Sequence, residues 1–368
     1  MITLKNFLLD LAEYYLPSGR IKLGHNGPYF DLETPVRNYS HWLITFKKCY
    51  ELTSKKKFLS KVKNLAEYLT SKEARPHYAS FYHRKTREKD KCNGLIGQAW
   101  TIEALVEADK IFDNKKYIKT AEEVFLNHNF NFRYGLWHRL SIGGKILTID
   151  PTFNHQLWFA AAGSKIFKQN NNKEIGRRVA LFLSKLEQNV DILESGLIYH
   201  PIKKNLFIQY NLGQSFGTLI QFAQGLIKNK DFIYKSIGYQ TFNLYAFSLL
   251  KNVFPDHSFW QTKKFKKTVS YIRSNHFQKN IINNKYAYPY NAPGFEIPVI
   301  KYVFGEDPAE DIKASEKSIQ KQIAKTYNGK KMKFNRNTDD ENVLTARIYE
   351  LTRIPEKWLN KIKVKYGK

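Results

Sequence analysis

An all-α ring of paired helices, an (α/α)6-type toroid with minor β-hairpins at its rim, is the fold class the sequence predicts. Three observations carry the prediction. Helix-period patterns dominate and strand alternation is scarce. Helical hairpins recur at a spacing of about 40–60 residues. The two members of each pair differ in character: the first is apolar nearly all round and the second is amphipathic and basic. A helix apolar on every side must be buried, and an amphipathic one covers it. Their alternation along one chain gives inner helices ringed by outer ones. A stacked helical solenoid is the alternative, and it calls for more uniform repeats than these.

The elements follow in order. The N-terminal stretch MITLKNFLLDLAEYYLPSGR reads as an amphipathic helix rather than a leader, since Asp10 and Glu13 interrupt its apolar part and no small-residue cleavage site follows. Residues 36–52 place Trp42, Leu43, Phe46 and Tyr50 on one stripe; residues 57–70 follow with Phe58, Val62, Leu65 and Leu69. The pairing repeats at 93–112 with 114–128, 151–167 with 173–190, 238–251 with 259–276, and 293–304 with 311–325. Candidates at 211–228 and 339–352 lack a clear second helix, and the N-terminal helix is free to supply one by closing the ring. The inner candidates number six or seven, which leaves room for an incomplete ring or one extra hairpin. Strand-like pieces at 135–140 and 144–149, and again at 196–202 and 205–210, suggest two β-hairpins, each directly before an inner helix. With no Pro/Ser/Gly linker, residues 1–354 form one toroid domain and residues 355–368 a basic C-terminal segment.

Composition narrows the function. The 368 residues suit two or three domains of about 150 residues or one large ring. Aromatics make up 15% and hydrophobic residues 42%, which excludes global disorder. Mean hydropathy is −0.51 and no apolar run is long enough to span a membrane. Two cysteines, Cys49 and Cys92, provide neither a disulfide framework nor a four-ligand zinc site, so a reducing cytoplasm is the simplest compartment. The formal charge of +27 admits an anionic partner, or reflects only a lysine-rich codon usage. There is no GxxxxGK[ST] loop, no GxGxxG after a strand and no HExxH pair. No cofactor and no metal is expected.

The informative feature is where uncharged polar residues gather. Nearly every inner candidate opens with a polar cluster: Arg37, Asn38 and His41; Asn93 and Gln98; Asn154, His155 and Gln156; Tyr239, Gln240 and Asn243; Glu296; and Asp339, Asp340 and Asn342. In a toroid the inner helices run the same way, so their N-termini converge on one rim of free N–H groups and positive dipole ends. Such a rim suits a ligand with many hydroxyls and a carboxylate. Trp42, Trp100, Trp158, Tyr29, Tyr239 and Tyr288 lie in or near these openings; each alone is ordinary core material, but beside amides they suit sugar rings. The strongest string is Phe153-Asn154-His155-Gln156-Leu157-Trp158, after Asp150. His155 is the candidate acid/base, Asn154 and Arg37 are candidate carboxylate contacts, and Trp158, one turn from Asn154, a candidate sugar platform. Tyr239, Glu296 and Asp150 complete the catalytic set. Asn38, His41, Trp42, Asn93, Gln98 and Gln240 complete the binding set. Capping of helix ends accounts for the same residues one at a time. Asp31, Glu33, Asp339 and Asp340 are further carboxylates; glycosidases pair two, and spacing does not select a pair.

The strings NGLIGQAWTIEALVEA, DPTFNHQLWFAAAG, GYQTFNLYAFSLL and NAPGFEIPVI resemble the AglQ-type proteins of glycan-assembly gene clusters, over roughly residues 30–350. These are distantly similar to unsaturated glucuronyl hydrolases on six-hairpin barrels. The resemblance implies work on a hexuronic acid during assembly of a cell-surface polysaccharide or glycoprotein glycan, by hydrolysis, elimination or isomerisation. A weaker similarity, to α/α-toroid alginate lyases, rests on Asn154, His155 and Trp158; it implies an Asn that neutralises the uronate and a His and Tyr that transfer protons, with Tyr210 a poor match for that Tyr and no counterpart of the lyase arginine. The expected partner is an acidic oligo- or polysaccharide. The rival readings are a non-catalytic glycan-binding scaffold and a nucleic-acid-binding helical repeat. The latter is disfavoured because the inner openings are aromatic and neutral rather than lysine-lined.

Overall fold

The computed structural model describes residues 1–112, 115–203 and 230–366. The strand-like piece 205–210 with Tyr210, and the candidate helix 211–228, lie outside the described residues.

Helix α2 (Val36–Thr53) packs against α4 (Gly94–Asp109), α4 against α6 (Phe153–Asn170), α6 against α8 (Lys230–Lys251), and α8 against α11 (Pro293–Phe304). Both α11 and α2 then pack against α13 (Glu341–Ala346) or the 3-10 turn Arg347–Arg353 that continues it, and the ring closes on six inner members among the described residues. Their burial follows from composition. Every residue of α4 except Asp109 is buried, as is every residue of α8 from Ser236 to Leu250. Small residues let the layers approach: a Cβ on Gly163 of α6 would stand 2.4 Å from the Phe125 ring.

The outer layer covers this ring with amphipathic faces. Helix α3 (Lys56–Leu69) lies on α2 and buries Phe58, Val62, Leu65 and Leu69, the predicted stripe. Each such side chain contributes roughly 1.5–3 kcal/mol on leaving water. Helices α5 (Lys116–Asn127), α7 (Lys173–Ser184) and α12 (Pro308–Thr326) cover α4, α6 and α11 in turn. The N-terminal helix α1 (Leu4–Tyr15) takes the sixth outer place, packed on α2 and on α14 (Glu356–Lys361). Strand β1 (Ile2–Thr3) pairs with β7 (Lys363–Val364), so both chain ends are fastened together.

One expectation needs correction. The outer helix expected at 259–276 is a 3-10 turn, Ser258–Gln261, followed by α9 (Lys263–Tyr271) and α10 (Asn275–Asn280). The hydroxyls of Thr262 and Ser274 cap new N-termini at Phe265 and Phe277, which restarts the helix twice. The segment 196–202 makes single bridges, Ile198 with Ile192 and Pro201 with Thr152 at the start of α6, and the strand expected to pair with it, 205–210, lies outside the described residues. The other hairpin forms where expected, with β3 (Leu136–Leu140) between β2 (Phe130–Asn131) and β4 (Ile146–Ile149). A last two-stranded pair, β5 (Tyr327–Asn328) with β6 (Lys333–Phe334), follows α12. No helix among the described residues is long and apolar enough to cross a membrane.

Candidate active site

The N-terminal ends of the inner helices and the loops before them surround a cavity of about 180 Å3. Five of the six sectors contribute to its wall. Asn26, Tyr29 and Asp31 precede α2; Arg84, Lys89 and Asn93 precede α4, which adds Trp100. Asn154 and His155 open α6, His200 precedes α8, Lys235 and Tyr239 lie on α8, and Tyr290 and Asn291 precede α11. The volume is below the ~300 Å3 of ordinary ligand pockets, a size for one sugar unit or a chain end.

Asp150 and His155 form its most directed pair. Asp150 ends β4 and is buried; its Oδ2 lies 2.8 Å from His155 Nδ1 and accepts from the Leu95 N–H, and its Oδ1 accepts from the Thr152 N–H. Burial would raise this carboxyl, but the His155 imidazole, the Arg139 charge and the Leu95 N–H overcome it and hold it at about 2. Asp150 is therefore an anion and an acceptor, so Nδ1 of His155 carries the proton that bonds it. That fixes the tautomer with Nε2 as the basic nitrogen available to the cavity. Gly94 makes the fit possible: it sits at φ +58°, and a Cβ there would lie 2.6 Å from Asp150 Oδ2 and 2.8 Å from His155 Nδ1.

Apart from Asp31, the remaining wall is neutral or cationic. His200 is held well below its usual range by burial and then by the nearby Lys235 and His155, so it is a neutral imidazole. The Tyr29 and Tyr239 hydroxyls lie 2.8 Å apart, and burial pushes both phenols well above their usual range. One hydroxyl donates to the other, and the second keeps a proton to offer. Asp31 accepts from Lys89 at 2.6 Å, Arg84 at 3.2 Å and Asn26 at 3.3 Å. Behind the wall, Arg37 bonds Glu33 at 2.8 Å and Asn26 Oδ1 at 2.7 Å, lies over the Trp100 ring, and anchors a chain that ends at the Tyr290 hydroxyl on Asn26.

The residues singled out in the sequence divide into three groups. His155, Asn154, Asn93 and Tyr239 line the cavity, and Asp150 stands directly behind His155. Arg37, His41 and Glu296 lie on the ring axis beneath it. His41 is buried, stacks on Tyr349 at 4.2 Å, and is kept neutral by burial and then by Arg37 and Arg347. Glu296 accepts from Thr241 and from Arg347 at 2.7 Å, and burial pushes its carboxyl up. Arg347 in turn donates to the carbonyl of Asn291 in the cavity wall, so Glu296 braces that wall from behind.

The third group faces away from the cavity. Trp158 stacks on Phe242 and Tyr245 in the seam between α6 and α8, and Trp42 stacks on Tyr15 and Phe46 in the seam toward α1. These rings pack helices and present no face to a sugar. Asn38 donates to the Lys22 carbonyl. Gln98 clamps both backbone groups of Phe81 and the Cys92 carbonyl; Gln240 clamps the Ile198 N–H and the Gly196 and Thr268 carbonyls. Gln156 does the same for Trp137 and Asp150. An amide whose two donors and carbonyl oxygen are all bonded to buried backbone groups has no donor left for a ligand. Of the other carboxylates, Asp340 caps α13 and receives the His25 and Gly27 N–H groups, while Asp339 is exposed.

Sequence reasoning missed His200, Lys235, Arg84, Lys89 and Asn26. His200 sits in a strand-like piece, and Arg84 and Lys89 sit in a loop full of charges. The signal for Lys235 was available: it is the last charge before the long neutral run of α8 that contains Tyr239.

No protein-family model matches the chain. It is 38% identical to the archaeal glycosylation protein Q of Haloferax volcanii over 97% of this chain and 98% of that one. Among solved structures it is similar to a D-mannose isomerase, with a TM-score of 0.62 and 12% identity over 95% of this chain and 97% of the other. It is also similar to an unsaturated glucuronyl hydrolase specific for heparin, with a TM-score of 0.61 and 13% identity over 98% of this chain and 95% of the other. At such identities the structural likeness shows a shared fold, the (α/α)6 toroid of sugar-processing enzymes.

Proposed function

The chain belongs to the archaeal glycosylation protein Q family, and on that premise we propose that it is an isomerase or epimerase of a uronic-acid-containing saccharide, working by proton transfer beside a carbonyl. The observation that carries the reading is the Asp150–His155 pair, an imidazole with a fixed tautomer and its basic nitrogen turned to a sugar-sized cavity. His155 Nε2 takes the proton from C2 of the open-chain sugar. The C–H electron pair forms the C1–C2 double bond, and the carbonyl oxygen becomes an enediolate oxygen. The proton held by the Tyr29–Tyr239 hydroxyl pair stabilises that oxygen, because both phenols stay protonated. Transfer of the O2 hydroxyl proton to O1, with return of the carbon proton to C1, gives the ketose; rotation of the enediolate so that its other face meets His155, with return of the proton to C2, gives the epimer. Neither outcome changes the overall oxidation state. Neutral His200 is a second base within electrostatic reach of His155.

Hydrolysis fits the cavity less well. Glycosidases pair a carboxylic acid with a second carboxylate. Asp31 is the single carboxylate among the described lining residues, and Lys89, Arg84 and Asn26 occupy its oxygens. Residues 204–229 contain no Asp or Glu that would supply another. The test is incubation of the purified chain with a panel of hexuronates and uronate-ended oligosaccharides, followed by proton NMR. Appearance of a ketose or C2-epimer supports the reading. Release of an unsaturated uronate, or binding without turnover, contradicts it.

A further inference from the structure

Lys235 stands apart from the other cations of the cavity. Its ammonium lies 5.0 Å from the ring centre of Tyr29, 5.9 Å from Tyr239 and 5.7 Å from Tyr286. It is half-buried, and no carboxylate among the described residues pairs with it, whereas Lys89 and Arg84 both bind Asp31. Residues 204–229 hold no Asp or Glu. The groups that face Lys235 do not neutralise it. The Tyr29 and Tyr239 phenols stay protonated, His200 is neutral, and Lys285 and Lys89 are like charges. Burial, then Lys285 and Lys89, lowers its pKa to about 8, so it is still largely an ammonium at neutral pH. Ring faces compensate lost hydration only in part. The cavity therefore holds a partly desolvated cation with no carboxylate partner among the described residues.

We propose that the Lys235 ammonium, boxed by Tyr29, Tyr239 and Tyr286, is the subsite that receives the substrate's carboxylate and makes the cavity select a hexuronate over a neutral hexose. The inference rests on the reading of the cavity as a uronate site. It adds the residue that reads the acid group, with the tyrosine faces leaving that carboxylate no competing polar partner in the box. Both Lys235 and His155 line the one cavity, so a single sugar places its carboxylate at one and its carbonyl end at the other.

The test is calorimetric titration of the full chain with D-glucuronate and with D-glucose, for the wild type, Lys235→Met and Lys235→Arg. The wild type is expected to prefer glucuronate. Lys235→Met is expected to lose about 10- to 100-fold in glucuronate affinity, the size of one charge-assisted contact, with glucose affinity unchanged; Lys235→Arg recovers part of the loss. Glucuronate affinity retained in Lys235→Met overturns the subsite and leaves the uronate reading standing. An equal loss for both sugars also overturns it, since it marks a structural role. A wild type with no preference for glucuronate, or with no binding of either sugar, overturns the subsite together with the uronate reading.

Discussion

The two ends of the ring are both buried and both rich in polar groups, yet they are built on opposite rules. At the C-terminal ends of the inner helices, Glu103 and Glu107 of α4 meet Lys47 of α2, Lys165 of α6 and Arg353 of the closing turn. Glu107 lies 3.1 Å from Lys47, 2.7 Å from Arg353 and 3.2 Å from Lys165; Glu103 lies 2.7 Å from Lys165 and 2.6 Å from Arg353. Burial alone would raise both carboxyls, but Arg353 and Lys165 pull them down, Glu107 well below its usual range. Here every charge finds a protein partner, and the network ties four inner elements together. At the N-terminal ends the pairing among the described residues is incomplete: His155 is bonded there through one nitrogen only, and Lys235 through aromatic faces only. The saturated end holds the ring, and the unsaturated end is free to act on something else.

Four changes sharpen or break that contrast, in order of expected size. His155→Ala should lower turnover by about 10²–10⁴ and cost the fold no more than about 2 kcal/mol, the stabilisation that the buried Asp150 anion draws in part from His155. Steady-state assays with calorimetric melting check both. Glu107→Ala should do the reverse. Stranding buried Lys165 and Arg353 costs about 3–5 kcal/mol, read from the urea midpoint, with turnover per folded molecule kept. Gln98→Ala should cost about 3 kcal/mol, because it strands backbone groups of Phe81 and Cys92 at ~1–3 kcal/mol each, although Gln98 sits near the cavity end. A larger effect on sugar affinity than on stability would refute its role as a clamp.

The smallest effect is acid-dependent. The Asp150 carboxyl stands at about 2 in the folded chain against a usual 3.8. A folded-state value below the unfolded one adds stability that is fully present above about pH 4 and lost as pH falls toward 2. The loss is about 2 kcal/mol. Denaturation at a series of pH values should show Asp150→Asn losing correspondingly less stability than the wild type between pH 4 and 2. Identical slopes would mean that Asp150 is not held as an anion by His155.

The contrast also explains what could be read from the chain alone. The ring was legible because burial on all sides and burial on one side leave different residue patterns, as α4 and α3 show. The rim was legible because Asn93, Asn154 and His155 open apolar helices and Tyr239 sits near the start of the neutral run of α8. Which rim residues face inward was not. An amide bonds a sugar hydroxyl and a backbone carbonyl equally well, so Gln98 and Gln240 gave no sign that they clamp the loops. Trp158 and Trp42 meet neighbouring helices because of the rotation of α6 and α2 about their axes, which the i, i+4 relation to Asn154 does not fix against the ring centre. Lys235 looked like one more lysine in a chain of charge +27. Only its aromatic surroundings, drawn from Tyr29 far back in sequence and Tyr286 further on, set it apart.

The central claim is that His155 moves a carbon-bound proton of a uronate substrate. It is tested most directly by incubating the wild type and His155→Ala with a hexuronate in D2O and following the C2 proton by NMR. The account predicts that the wild type replaces that proton with deuterium while His155→Ala, folded and still able to bind the sugar, leaves it in place. Deuterium incorporation at the same rate in both proteins would contradict it, as would turnover by the wild type with the C2 proton fully retained.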